Sequence, residues 1–218
     1  HHYHDVRLQD FMAALADRTL KRAAPQPQAP TDFEPEPYEL QADAPVTITR
    51  LIRRLDEQLD DNTIVIDDIG DALFASTELT TQSRTEFISP AYYTSMGFAT
   101  PAALGAKIAR PEARVVAIVG DGAFQMTGME LSTLVRRQLP AIVIVLNNGG
   151  YGTERLLHPG DYKFNTIHGW QYHELPRVLG GGQGFEIRTE GDFDAALRAA
   201  WNAADGPSVL HVHLDPAD

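Results

Sequence analysis

The chain is 218 residues long, carries a formal net charge of −12 at pH 7 and contains no cysteine. The absence of cysteine excludes a disulfide framework and a thiolate metal site. The negative charge argues against binding to nucleic acid or to an anionic membrane surface. No apolar run approaches the roughly 20 residues that span a bilayer. We therefore expect a cytoplasmic protein built from one domain of ordinary size with a short attachment.

Composition divides the chain into three segments. Residues 1–24 contain a short amphipathic helical pattern and are predicted to be the tail of a preceding domain. Residues 25–45 hold prolines interleaved with glutamine, alanine and acidic residues, which predicts a stiff, extended linker that does not pack. The domain proper is expected to occupy residues 46–218.

Within residues 46–218, helical patterns alternate with apolar runs rich in β-branched residues. These runs lack polar alternation, as expected of strands that are covered on both faces. The order predicts an α/β domain with a mainly parallel sheet and helices on both faces. The predicted strands are residues 63–67, 86–89, 115–119, 142–146, 185–188 and 208–214. The main predicted helices are residues 47–60, 100–109, 123–138, 171–179 (broken by Pro176) and 192–203.

Polar turns follow two of the predicted strands. Residues 120–122 read Gly-Asp-Gly, and residues 147–150 read Asn-Asn-Gly-Gly. A helical pattern separates the turns, so the strands belong to a βαβ crossover and run parallel. Both turns then lie at the carboxyl ends of strands, which is the edge where open α/β sheets bind ligands.

The residue types in these turns fit a metal and an anion. The Asp121 carboxylate, the Asn148 side-chain carbonyl and the backbone carbonyl of Gly150 are oxygen ligands suited to magnesium. Gly122 and Ala123 open the next helix, where free N–H groups favour an anion. The sequence therefore predicts a site for a magnesium diphosphate.

Three other patterns also lead to expectations. A further polar turn, residues 67–71, ends in Asp71, which we expect to N-cap the helix that begins at Ala72. Residues 180–184 are rich in glycine but lack the Lys-Ser/Thr of a phosphate loop, and no Gly-x-Gly-x-x-Gly of a dinucleotide-binding dehydrogenase follows a strand. His211 and His213 share one strand face; they could form a metal pair, although packing beneath a helix is the better-supported alternative.

The order Gly-Asp-Gly, a gap from Ala123 to Leu146, and Asn-Asn resembles the thiamine diphosphate motif. Residues 150–158, Gly-Tyr-Gly-Thr-Glu-Arg-Leu-Leu-His, are similar to the segment that follows this motif in 2-keto acid decarboxylases, the pyruvate, indolepyruvate and phenylpyruvate decarboxylase group. The resemblance covers roughly residues 46–214. It implies the diphosphate-binding C-terminal domain, thiamine diphosphate and Mg²⁺ as cofactors, and residues 1–24 as the end of a middle domain.

The resemblance also implies residue roles. Glu154 would transfer protons to and from the substrate-derived intermediate, a role that favours a pKa raised by burial. Thr153 and Leu157 would line the substrate pocket, and the threonine favours an aryl or indolyl keto acid. Metal ligands would be Asp121, Asn148 and Gly150. Residues assigned to the cofactor are Gly120, Asp121, Gly122, Ala123, Thr94 (through its carbonyl), Met96, Asp71 and Tyr151.

In the family, a pyrimidine-binding domain of the same or another chain completes the site at a subunit interface. The resemblance therefore implies a homodimer or homotetramer in the complete enzyme. No stretch of the sequence resembles the pyrimidine-binding domain, so we expect little activity or cofactor affinity in this chain alone. The expected reaction is non-oxidative decarboxylation of a 2-keto acid to CO₂ and an aldehyde. The alternatives are an acetolactate synthase or benzoylformate decarboxylase type of enzyme, or a non-catalytic fragment that retains the fold.

Overall fold

A computed structural model of the protein describes residues 4–18, 37–80 and 86–216. The chain divides into two compact units, the first ending at Pro37 and the second beginning at Tyr38. The first unit contains helix α1 (Leu8–Ala16), none of whose residues is buried. Most of the predicted linker, residues 25–36, lies outside the described residues, and the assignment of residues 1–24 to a preceding domain stays a prediction.

The second unit is organised around a six-stranded sheet in which every pair of neighbouring strands is parallel, as predicted. Its spatial order is β2-β1-β3-β4-β6-β5. The central strands β1, β3, β4 and β6 are buried along almost their whole length because helices cover both faces. The strands are β1 (Thr63–Asp67), β2 (Glu86–Ile88), β3 (Arg114–Gly120), β4 (Ile142–Asn147), β5 (Gln183–Ile187) and β6 (Ser208–His213).

Helices form a layer on each face of the sheet. One apolar core joins α2, α3 and α9 to the side chains on one face, and a second core joins α4, α5 and α6 to the other face. Helices on both faces of a parallel sheet are the architecture that the alternating pattern predicted. The helices are α2 (Ile48–Asp56), α3 (Asp71–Ser76), α4 (Ala99–Ala109), α5 (Asp121–Thr127), α6 (Leu131–Arg136), α7 (Gly152–Leu157), α8 (Leu175–Leu179) and α9 (Glu190–Trp201).

Two predicted helices differ from the structure. The helix expected over residues 123–138 is interrupted near Thr127, whose backbone leaves helical geometry (φ −140°, ψ 0°) and whose hydroxyl donates to the carbonyl of Gly97 (2.6 Å). Pro176 was expected to break a helix, but it lies in the first turn of α8. Proline is tolerated there because the first N–H groups of a helix have no intrahelical partner.

Residues 38–45 also differ from the expectation, because they pack onto the domain instead of forming an unpacked linker. The Glu190 carboxylate, 3% exposed, accepts hydrogen bonds from the Tyr38 hydroxyl, the Gln41 N–H and the Arg50 guanidinium. The Arg50 guanidinium also lies over the Tyr38 ring, 4.4 Å from its centroid. Sequence composition could not reveal this packing because its partners are far away in the chain.

Residues 4–18, 37–80 and 86–216 contain no helix with the length and hydropathy of a membrane span.

We predict that Glu190→Ala lowers the free energy of unfolding by about 3 kcal/mol, because it leaves the Arg50 guanidinium and the two other donors without their acceptor. Denaturant unfolding of the chain measures this loss. The control is Glu112→Ala, since Glu112 forms a 2.6 Å ion pair with Arg110 at the surface, where such pairs contribute little to stability. Equal losses in both variants would contradict the prediction.

Candidate active site at the carboxyl edge of the sheet

Three turns meet at the carboxyl edge because the strands that precede them are neighbours. Asp67 at the end of β1 pairs with Ile118, and Gly120 at the end of β3 pairs with Leu146 in β4. The turns after β1, β3 and β4 therefore lie side by side, with the β3 turn in the middle. This arrangement brings together Asp71, Asp121 and Asn148.

Asp121, in the middle turn, is almost fully buried, at 1% exposure. Its Oδ1 accepts the N–H of Gly122 (2.7 Å), whereas its Oδ2 makes no hydrogen bond with any residue that the structure describes. Burial raises the pKa of Asp121 to about 6, and the N–H groups of Gly122 and Gly149 and the charge of Arg155 oppose the rise. A buried carboxylate with one oxygen unused is a group that a cation would stabilise.

Asn148 is also buried, and both ends of its amide are engaged. Its Oδ1 accepts the N–H of Gly150 (3.2 Å), and its Nδ2 donates to Asp71 Oδ2 (3.0 Å). The Arg155 guanidinium donates to the backbone carbonyls of Asn148 (3.3 Å) and Gly149 (3.0 Å), so one side chain holds two successive carbonyls of the turn. These contacts fix residues 148–150, which carry two of the three predicted metal ligands.

Asp71 does not N-cap the helix, which corrects the expectation from the sequence. Helix α3 begins at Asp71 itself, and its N-cap is Gly70, with φ +89° and no side-chain capping hydrogen bond. The Asp71 side chain instead reaches the β4 turn and accepts from Asn148. A sequence cannot distinguish these alternatives, because an aspartate beside a helix start is typical of both.

The segment that carries Thr94 and Met96 is anchored to β1 by Asp68. This buried carboxylate accepts the N–H groups of Ile69, Gly97 and Ala99 at 2.9–3.1 Å. Burial raises the pKa of Asp68, and these N–H groups oppose the rise. Thr94 adopts φ +54°, which is strained for a β-branched residue, and Met96 is 42% exposed. Asp68 is not among the predicted site residues, because nothing local in the sequence marks it as the anchor of a segment 29 residues away.

Helix α7 presents the residues predicted to act on the substrate. Glu154 is half exposed, with its Oε2 3.4 Å from His158 Nδ1, and Leu157 is 64% exposed. The Thr153 hydroxyl is buried and makes no hydrogen bond with the described residues. The described residues therefore do not supply the burial that the predicted role of Glu154 favours.

Tyr151 and Asn165 hold the loop that follows the turn after β4. The Tyr151 ring packs against Gly122, where a Cβ atom would collide with it. The Tyr151 N–H donates to the Asn165 carbonyl (3.1 Å). The Asn165 amide is buried, and neither of its polar atoms finds a hydrogen-bond partner among the described residues. Asn165 lies in the segment that follows α7, and no sequence signal singled it out.

The residues at this edge fit a metal-bound diphosphate. The predicted donors are all oxygens, and the buried Oδ2 of Asp121, which has no hydrogen-bond partner among the described residues, offers a carboxylate ligand to a cation. A Cβ atom at Gly120 or at Gly149 would meet nothing within 4 Å, so there is open space in front of both turns. The edge therefore combines oxygen donors suited to a hard cation with open space for a bound molecule.

His211 and His213 do share one face of β6, with ring centroids 4.2 Å apart. His211 Nε2 lies 2.8 Å from Asn147 Nδ2, and its Nδ1 lies 3.0 Å from His173 Nδ1, while His213 Nε2 lies 3.0 Å from Glu186 Oε1. Among the described residues there is no group of three or more histidine, aspartate or glutamate side chains that could hold a metal ion, so a metal pair at His211 and His213 receives no support. Burial and the neighbouring histidines lower the pKa of His211 to about 4.

A family model for the C-terminal TPP-binding domain of thiamine pyrophosphate enzymes matches residues 68–212, which hold all three turns. The chain belongs to this family. The chain is 33% identical over 206 residues to an alpha-keto-acid decarboxylase of Mycolicibacterium paratuberculosis, a match that covers 94% of this chain and 37% of that protein.

Two further relatives bear related names. A pyruvate decarboxylase of Neurospora crassa is 29% identical, over 100% of this chain and 39% of its own length. An indole-3-pyruvate decarboxylase of Azospirillum brasilense is 33% identical, over 92% of this chain and 36% of its own length. The chain thus spans little more than a third of the curated relatives that it matches.

We predict that His211→Gln removes an acid-dependent loss of stability. Below pH 6.5 the unfolded chain protonates this histidine and the folded chain does not, so the folded state loses up to about 3 kcal/mol as the pH falls from 6.5 to 4. Unfolding free energies of the wild type and the variant, measured across this range, should diverge by that amount. The control is His168→Gln, an exposed histidine, and parallel profiles for wild type and His211→Gln would contradict the prediction.

Proposed function

We propose that the chain is the cofactor-binding domain of a thiamine diphosphate-dependent 2-keto acid decarboxylase, which releases CO₂ and an aldehyde. The buried, half-unsatisfied Asp121 carboxylate beside the Asn148 turn is the observation that carries this proposal. The names of the relatives, which are decarboxylases of pyruvate, indole-3-pyruvate and alpha-keto acids, favour it over the acetolactate synthase type. Cytoplasmic location, which the charge and the absence of cysteine suggest, is part of the proposal.

Asp121, Asn148 and the Gly150 carbonyl would hold Mg²⁺, and residues 120–123 would face the diphosphate. When bound, thiamine diphosphate supplies the nucleophile and the electron sink for loss of CO₂ from the keto acid. Arg155 stabilises the turn at Asn148 and Gly149, and Tyr151 packs beside Gly122. Together these contacts preorganise the predicted ligands before the cofactor arrives, which lowers the cost of binding.

Glu154 would hold and move the proton on the substrate side of the site, with Thr153 and Leu157 lining the pocket. Its carboxylate is half exposed, so the burial that raises a catalytic pKa has to come from another polypeptide segment. The threonine at position 153 supports an aryl or indolyl keto acid as substrate.

Exposed apolar side chains support a partner at this edge. Tyr92 and Tyr93 are 94% and 80% exposed, and both precede the strained Thr94. Leu156 and Leu157 on α7 are also exposed. Exposed aromatic and aliphatic groups beside a binding site are typical of a surface that another domain covers. We propose that a pyrimidine-binding domain, in the same or another chain of a homodimer or homotetramer, covers it, and that the isolated chain binds the cofactor poorly and is inactive.

We predict that Asp121→Asn abolishes binding of thiamine diphosphate with Mg²⁺, because it removes the only predicted metal ligand that carries a charge. Calorimetric titration of the chain together with its pyrimidine-binding domain measures the binding. Asp161→Asn, an exposed aspartate on the loop after α7, is the control. Wild-type affinity in Asp121→Asn would refute the metal site, and tight binding by the isolated chain would refute the need for a partner.

We also predict that Glu154→Gln lowers kcat by about 10²–10⁴-fold in the complete enzyme, which is the range for loss of a general acid or base, while cofactor affinity is retained. Aldehyde formation from pyruvate, phenylpyruvate and indolepyruvate measures the rate and the preferred substrate. Glu174→Gln, at the surface in an ion pair with Arg177, serves as the control. A Glu154→Gln enzyme with the wild-type rate would exclude the proposed role.

A further inference from the structure

We propose that Asp71 is a positioning residue for Asn148: it fixes the orientation of the amide so that Oδ1, and not Nδ2, is available to the proposed metal ion. We also propose that position 152 is glycine to admit the Asp71 carboxylate. The inference rests on the proposed function, since it assigns a role toward the metal that Asn148 would bind.

The orientation of the Asn148 amide is specified twice. Asp71 is a carboxylate in contact with Nδ2 (3.0 Å) and, when ionised, can only accept a hydrogen bond. The Gly150 N–H in contact with Oδ1 (3.2 Å) can only donate. Both partners therefore require the same orientation. Amide oxygens have two lone pairs, so Oδ1 keeps one for a cation after accepting from Gly150.

The position of Asp71 follows from the strand order. Asp71 begins α3 after β1, and Asn148 follows β4, while β3 lies between these two strands. The hydrogen bond from Asn148 to Asp71 thus crosses the end of β3, where Asp121 lies. Asp71 and Asn148 flank the buried carboxylate from its two sides.

Gly152 makes this contact possible. A Cβ atom at position 152 would collide with the carboxylate of Asp71. Gly152 has an ordinary negative φ as the first residue of α7, so the backbone itself does not require glycine there. A side chain at position 152 would displace the Asp71 carboxylate, which is the hydrogen-bond acceptor of Asn148 Nδ2.

Outer partners of metal ligands are known to affect affinity strongly. Loss of a group that orients a ligand typically weakens metal binding by about 10–100-fold. Asp71→Asn keeps the size of the side chain but can donate as well as accept, so it no longer selects one orientation of the Asn148 amide. Gly152→Ala changes no polar group and removes the contact only by displacing the carboxylate.

The test is a titration of the assembled protein with Mn²⁺ in the presence of thiamine diphosphate, followed by electron paramagnetic resonance of free Mn²⁺. We expect Asp71→Asn and Gly152→Ala each to raise the dissociation constant by about 10–100-fold. The double variant is expected to bind Mn²⁺ no more weakly than the weaker-binding single variant, because both changes remove the same contact between Asp71 and Asn148. Gly105→Ala on α4, where a Cβ meets nothing within 4 Å, is the control and should bind as the wild type does.

A second readout needs neither metal nor cofactor. In the free chain, the side-chain NH₂ of Asn148 should exchange its hydrogens slowly by NMR, and Asp71→Asn or Gly152→Ala should accelerate that exchange. Thermal melts establish that the variants are folded. Failure of the wild type to bind Mn²⁺ would overturn the proposed function. Binding by the wild type with unchanged affinity in Asp71→Asn, or additive losses in the double variant, would overturn the positioning role alone.

Discussion

Parallel pairing of β3 with both β1 and β4 is the constraint on which the site depends. Parallel strands end at the same edge of a sheet, so three turns far apart in sequence become neighbours there. The middle turn carries Asp121, and the outer turns carry Asp71 and Asn148. If one strand paired in another register, its turn would shift along the sheet, and the hydrogen bond between Asp71 and Asn148 could not cross the end of β3.

The same edge concentrates polar groups that the fold leaves unsatisfied. Asp121 Oδ2, the Thr153 hydroxyl and the Asn165 amide are buried without hydrogen-bond partners among the described residues. Such groups weaken a folded protein, by about 1–3 kcal/mol each in typical cases. Their presence next to the predicted metal turn fits a domain whose site is built to be completed by a ligand, because binding to the folded state restores stability.

The sequence predicted the fold and the edge well, because both follow from local patterns. Apolar β-branched runs gave the strands, and the Gly-Asp-Gly and Asn-Asn turns lay where the strands end. What it could not predict were contacts between distant residues. Asp68 anchors the segment before α4, Asp71 binds Asn148 instead of capping a helix, and Tyr38 docks on Glu190. Each depends on where the sheet places two residues that are far apart along the chain.

The two ion pairs between α2 and α9 have a consequence for folding during synthesis. Arg50 with Glu190 and Arg54 with Asp194 each join residues 140 positions apart, and both helices cover the same face of the sheet. Helix α2 is synthesised before α9, so its polar partners emerge from the ribosome 140 residues later. Contacts of such long range are slow to form. The amino-terminal part of the domain is therefore expected to remain uncovered on the nascent chain until α9 emerges, and chaperones would have that interval to bind it.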